Sequence, residues 1–422
     1  MKASTIERLV ALAFWTLSVL CLLNPNGLMR MRTGEERAFS EAILICCLLA
    51  LAGLTRVRTR EALGLPGALI LACLMFYSGI GIVVAMVAGA DLQQAQWYLV
   101  RHVKSALVIL AVAVGGRVLW RRVGGERMTQ GLLLVMMASC TLILASPWLL
   151  DLLRFPPLDG EYRFFGSFAD PNEAGLMACF TVVTALAVID SGRSRVVGLG
   201  ALLVAVAALV GTFSRTALVV LPLVLLASLP ARRGGGRKRV AGSVAVVALG
   251  VAGVLAALDP AAVGERRASR WNSVVELATL SSVEDVSLAD RAALWSLALE
   301  ETLDAPLLGN GLGRLHALDG AWYNREGMLL GAHNQYLILA GEAGFLPLVL
   351  FALFLAVTFR AGFTKKASWP LGAASGWAIV LIVFSMTFHG ILTYRICNFI
   401  IGLICVATAG CLQDEGPRPE AT

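Results

Sequence analysis

His333 is one of only four histidines in this chain, and it stands where a long polar stretch runs straight into an apolar one. The boundary reads Gly331-Ala332-His333-Asn334-Gln335-Tyr336-Leu337. Upstream, residues 259–330 carry most of the acidic groups that lie outside short loops, and from Tyr336 to Phe359 the sequence is almost wholly apolar. An imidazole titrates near neutrality, at about pKa 6.5 when unperturbed, so at a boundary between water and membrane it can take a proton from a substrate hydroxyl. A second reading fits the same spacing: His333 and Asn334 could cap a helix and reach toward lipid headgroups.

Three arginines group with this histidine. Arg163 lies in the segment 151–171, whose paired prolines and aromatics suit a stretch lying against a membrane surface. Arg215 sits in the tight turn GTFSRT (211–216) between two apolar runs, where a turn needs no arginine. Arg291 falls in a run of helical spacing from Ser287 to Leu303, with Ser287 as a plausible N-cap, Arg291 on or beside the apolar stripe, and Pro306 ending the helix. A guanidinium pairs bidentately with phosphate oxygens and keeps its charge at any relevant pH. Several such groups beside a boundary histidine suit a phosphate-bearing lipid, whereas one alone would be unremarkable. Other chemistries fare worse. GNGLG (309–313) has no Gly-Lys-Ser/Thr and reads as a flexible turn, so no nucleotide is expected. No outward cluster joins His to Asp or Glu at metal-ligand spacing, so no metal or other cofactor is expected; Asp170-Pro171-Asn172 reads as a helix start.

The elements that must position these groups are membrane helices. Hydrophobic residues make up 58% of the chain and charged ones 15%, and apolar runs near the length of a bilayer span recur along it. About twelve spans are expected, near 6–23, 39–54, 63–88, 98–116, 128–150, 172–190, 196–212, 216–229, 240–258, 334–359, 370–388 and 397–412. Basic residues cluster around 56–60, 117–127, 193–195, 232–239 and 360–366, on alternate connections. The positive-inside rule then puts both termini in the cytoplasm and the segments bearing Arg163, Arg215, Arg291 and His333 outside. The formal charge of +7 is thus a topology signal and does not point to nucleic acid. Three parts follow: helices one to nine (1–258), a large outer loop with a helix in it (259–333), and helices ten to twelve with a short tail (334–422). The nine cysteines all fall in apolar runs without C-x-x-C pairs, which implies neither a disulfide framework nor a zinc site. Arg101, His102 and Lys104 fall near an outer helix end and read as snorkelling side chains. Glu342, in Gly341-Glu342-Ala343-Gly344, marks an expected helix break, where its carboxylate could satisfy freed backbone N–H groups or brace an arginine.

Four stretches occur in an order and spacing that resemble the O-antigen ligase and polymerase superfamily of bacterial envelope enzymes. They are YRFFGSFADPNEAG (162–175), GTFSRTA (211–217), DRAALWSLALEETLDAPLLGNGLG (290–313) and GAHNQYLILAGEAGFLP (331–347). The resemblance covers the middle and C-terminal two-thirds of the chain. It implies an all-α, polytopic glycosyltransferase of the GT-C type in the bacterial inner membrane, with its site open to the periplasm. It also implies a glycan donor on undecaprenyl pyrophosphate, no metal ion, His333 as the motif histidine, and Arg163, Arg215 and Arg291 as the motif arginines. Asn334 and Glu342 take supporting places. Some members carry Gly-x-x-Gly-Thr-Thr after the histidine; here Gly344-Phe345-Leu346 runs into Pro347 instead. The first expectation is an O-antigen ligase joining polysaccharide to lipid A-core by inverting displacement. Behind it come a polymerase with a lipid-linked glycan acceptor, a protein O-oligosaccharyltransferase, and a transporter or flippase.

Overall fold

The computed structural model describes residues 3–25, 39–89, 92–152, 166–168, 170–191, 194–227, 286–316, 331–362, 371–388 and 390–411. Among them the chain is all helical. Its thirteen α-helices are α1 (Ala3–Leu22), α2 (Ser40–Leu51), α3 (Thr59–Val87), α4 (Leu92–Val123), α5 (Gly125–Leu152), α6 (Pro171–Ser191), α7 (Arg195–Gly211), α8 (Arg215–Ala227), α9 (Val286–Asp304), α10 (Gln335–Ala343), α11 (Phe345–Ala361), α12 (Leu371–Thr387) and α13 (Arg395–Cys411). Five described helices are long and apolar enough to cross a membrane, and six shorter ones are apolar. This is a multi-pass membrane protein. The expected ninth span, 240–258, lies outside the described residues, as does most of the loop 259–333.

Two helices form the interior. α6 is buried without interruption from Glu173 to Ile189, and α13 from Ile396 to Ala409. Helices apolar all round lose nothing by burial on every side, unlike one-faced amphipathic helices. α6 packs on α5, α7, α8 and α12, and α13 packs on α3, α4 and α12. Polar links stitch these interior contacts: Asn398 donates to Ser105 Oγ at 2.8 Å, and Trp377 Nε1 donates to Thr184 Oγ1 at 3.3 Å. On the outside, Leu12, Met75, Val83 and Met86 stand exposed, as lipid-facing side chains must.

The start of α6 follows from local chemistry. Asp170 Oδ1 accepts from Asn172 N at 2.8 Å, and Pro171, which has no N–H to leave unpaired, takes the first helical position. α9 begins at Val286, so Ser287 lies inside the first turn and is not the N-cap expected of it.

The expected span 334–359 is not one helix. Gly344 adopts φ 78 and ψ −177, which divides α10 from α11, and a Cβ there would lie 2.0 Å from the Leu307 carbonyl oxygen. The two helices do not share an axis. The Tyr336 and Phe351 rings lie 5.9 Å apart, whereas a continuous helix would separate those residues by about 22 Å. α10 therefore turns back across the upper part of α11 and reaches α3, α9 and α12.

Candidate functional site

Arg215 is the first residue of α8 and is half-buried. The turn before it passes through Phe213 at φ 49, and Ser214 caps the helix, its Oγ accepting from Ala217 N at 3.4 Å. The same Ser214 hydroxyl donates to Asn172 Oδ1 at 3.1 Å, which brings the ADPNEAG and GTFSRTA stretches together. One residue on, the Thr216 and Thr387 hydroxyls lie 2.9 Å apart, fixing the start of α8 to the end of α12.

His333 is the second element. It is half-buried and holds φ 45, a left-handed conformation that costs an L-residue about 1–2 kcal/mol. Bulky residues persist in that region only where their surroundings over-determine them. Here the neighbours on both sides are tied: Ala332 N donates to the Leu315 carbonyl at 3.0 Å, and Asn334 Oδ1 accepts from Tyr336 N at 3.0 Å and Leu337 N at 3.2 Å. Asn334 is thus the N-cap of α10. Tyr336 Oη donates to the Ile382 carbonyl at 3.0 Å. Ile382 and Thr387 are separated by about 7.5 Å along α12, so the segments bearing His333 and Arg215 are moored to neighbouring turns of one helix.

The starts of α6 and α8 are joined by the Ser214–Asn172 bond, and Arg395 at the start of α13 interacts electrostatically with Glu173 at the start of α6. The chain leaving α12 turns at Gly390, whose carbonyl accepts from Tyr394 N at 2.7 Å, and Tyr394 stacks on Phe388 with ring centroids 4.7 Å apart. Arg395 then opens α13, with one Nη buried and unpaired. Arg101 lies over the Trp97 ring, 3.5 Å from its centroid. Three positive helix ends and these guanidiniums give the region the field an anionic group seeks, while Glu173, buried at the start of α6, limits the repulsion among them.

The sequence-predicted residues are only partly brought together. Arg215 and His333 share α12. Arg291 lies in α9, about three turns and roughly 16 Å of helix before Thr302, the residue that meets Gly341 of α10. Arg163 lies outside the described residues. His102 does not snorkel; it is 3% exposed, with its ring 4.7 Å from that of Tyr77 on α3. α4 starts well before the apolar run and turns this face inward.

GNGLG is not a loose turn either. Gly309, Gly311 and Gly313 all have positive φ, and the strap they form is pinned at each step. Asn310 N donates to the Gly341 carbonyl at 2.7 Å, Gly311 N to the Glu342 carbonyl at 3.1 Å, and Leu312 N to the Gly81 carbonyl at 2.9 Å. Glu342 is fully buried, and its carboxylate is met by Tyr77 Oη at 2.7 Å, Gly313 N at 2.9 Å, Leu315 N at 2.8 Å and His316 Nδ1 at 2.9 Å. Four converging donors are what an ionised carboxylate requires in a dry interior, and against such an acceptor His316 Nδ1 carries the proton. Glu342 therefore satisfies backbone N–H groups, as its place at a helix break suggested, but those of the strap and not of its own helix. His316 was missed in the sequence; no periodic spacing links it to residue 342.

Residues 200–352 match the family model described as O-Antigen ligase. The chain is similar to the exopolysaccharide production protein ExoQ of Rhizobium meliloti (strain 1021), at 23% identity over 268 residues. That match covers 61% of this chain and 59% of ExoQ, so the chain spans about three-fifths of that relative's length. No solved structure matches the chain. The matched region contains Arg215, Arg291, His333 and Glu342, so over that part the chain is similar to the O-antigen ligase family.

Proposed function

We propose that the protein is an O-antigen ligase. It would transfer polysaccharide from undecaprenyl pyrophosphate to a sugar hydroxyl of lipid A-core, at the periplasmic face of the bacterial inner membrane, with both termini in the cytoplasm. The observation that carries this reading is the common mooring of Arg215 and His333 on α12, through Thr216–Thr387 and Tyr336–Ile382. In this reading Arg215 is the charge-stabilising group and His333 the proton acceptor, each one to three residues from its mooring contact.

Neutral His333 takes the proton of the acceptor hydroxyl as its oxygen attacks the anomeric carbon. The bond from that carbon to the pyrophosphate oxygen breaks on the opposite face, and a single displacement inverts the centre. Negative charge concentrates on the departing pyrophosphate, and Arg215, with Arg291 and Arg163, stabilises it more in the transition state than in the ground state. The lipid tail stays between helices, which is the reason for a site at an interface. The arginines supply the charge compensation, so the proposed reaction uses neither metal ion nor nucleotide.

A second reading is a polymerase, whose acceptor is another lipid-linked glycan; the relative's naming as an exopolysaccharide production protein favours it. Deleting the gene and separating the cell's lipopolysaccharide by size distinguishes the two. Loss of all polymer on the core, with long polymer still on the carrier lipid, is the ligase result. A core bearing one repeat unit is the polymerase result, and an unchanged ladder contradicts both.

A further inference from the structure

We infer that Glu342 and His316 are positioning residues for His333, acting through Leu315. This rests on the proposed role of His333. The path is short and made of hydrogen bonds. Leu315 is held on both sides: its N–H donates to Glu342 Oε1 at 2.8 Å, and its carbonyl accepts from Ala332 N at 3.0 Å. Ala332 is the residue before His333. The next backbone carbonyl, that of His316, sits so close to Gly331 that a Cβ there would lie 2.7 Å from it. The 331–333 segment thus lies along the end of the strap, and the strap's place is set by the carboxylate.

The carboxylate is itself fixed from outside the strap. Tyr77 of α3 donates to Oε2, and His316, held by Oε1, packs its ring 4.0 Å from that of Tyr98 on α4. Two long helices, α3 and α4, therefore set the position of Glu342, Glu342 sets Leu315, and Leu315 sets the strained φ of His333. A polar group buried at this depth costs stability unless it is fully paired, and an apolar contact would hold the strap as well. What the carboxylate adds is direction, because both of its oxygens are committed to named donors.

The test uses the full chain, with transfer from an undecaprenyl-pyrophosphate glycan measured as kcat and KM for donor and acceptor. His316→Leu removes one donor to the carboxylate. It should lower kcat about 10- to 100-fold, because small misplacement of a reacting group is costly, while both KM values stay within about twofold. His316→Asn returns an N–H close to the position of Nδ1 and should recover most of the lost kcat. Tyr77→Phe, which deletes only a hydroxyl, should give a smaller fall in kcat with the same unchanged KM. A His316→Leu enzyme with wild-type kcat, or one whose loss appears in KM, or an Asn variant no better than Leu, overturns the inference. His333→Ala is assayed beside them. If it is inactive while His316→Leu is normal, only the positioning role falls; if it too is fully active, the reading of His333 falls first.

Discussion

The side-chain oxygens of Thr216 and Thr387 lie 2.9 Å apart and join the start of α8 to the end of α12. Each hydroxyl belongs to a helix end, so the pair sets where Arg215 leaves its turn. Replacing Thr387 by Val keeps the shape and removes the bond. It should cost about 1 kcal/mol of stability, the usual net value of one such bond, seen as a lower melting temperature in detergent. An unchanged melting temperature together with unchanged transfer would show that the contact positions nothing.

Arg215→Lys and Arg291→Lys should both be severely impaired although charge is kept. A pyrophosphate presents paired oxygens that the guanidinium fork matches with two N–H groups, whereas an ammonium is a point charge on a flexible stem. Losing one charge-assisted bond in a partly dry site costs on the order of 2–4 kcal/mol, roughly 30-fold to several hundred-fold in rate. Arg30, Arg32 and Arg37, which lie outside the four motif stretches, are controls that should tolerate lysine. In vitro transfer at near wild-type rate in both variants would reduce these arginines to membrane anchors.

Much of this architecture was legible in the sequence, for reasons that are local. The helix expected from Ser287 to Leu303 is found from Val286 to Asp304, because a 3.6-residue apolar period needs no tertiary information. Asp170-Pro171 announces the start of α6 because the cap is made by the residue itself. His333 and Arg215 were singled out by type and boundary, and the structure ties their segments to one helix. What was not legible depends on contacts distant in sequence. Hydropathy placed His102 near a helix end but could not say that its face meets Tyr77. Gly344 signalled a break in 334–359, yet the angle between α10 and α11 is set by Phe351, α3 and α12. The four-donor cage of Glu342 draws on residues 77, 313, 315 and 316, which no spacing rule connects.

Gly309→Ala tests whether the strap is a fitted part. Gly309 holds φ 73, and a Cβ would lie 2.3 Å from both Ala343 N and the Glu342 carbonyl carbon. The left-handed conformation alone costs about 1–2 kcal/mol, and the backbone clash adds to it. The variant should yield little folded protein by size-exclusion chromatography in detergent. A well-folded, active Gly309→Ala protein would mean that the strap can move away without consequence.

The proposed use of arginine for charge stabilisation predicts transfer by purified protein with excess chelator and without added nucleotide. Full rate is expected under those conditions. A chelated enzyme that is inactive and is restored by magnesium or manganese alone would assign the leaving-group charge to a metal ion.

The central claim is that His333 accepts the proton of the attacking hydroxyl. Its most direct test is the rate of glycan transfer by His333→Ala, reconstituted in liposomes with an undecaprenyl-pyrophosphate glycan and a lipid A-core acceptor, against wild-type protein of the same melting temperature. General-base catalysis typically contributes roughly 10²–10⁴-fold, so the variant should fall by at least 10²-fold with insertion and stability preserved. A variant that keeps more than about a tenth of the wild-type rate contradicts the account.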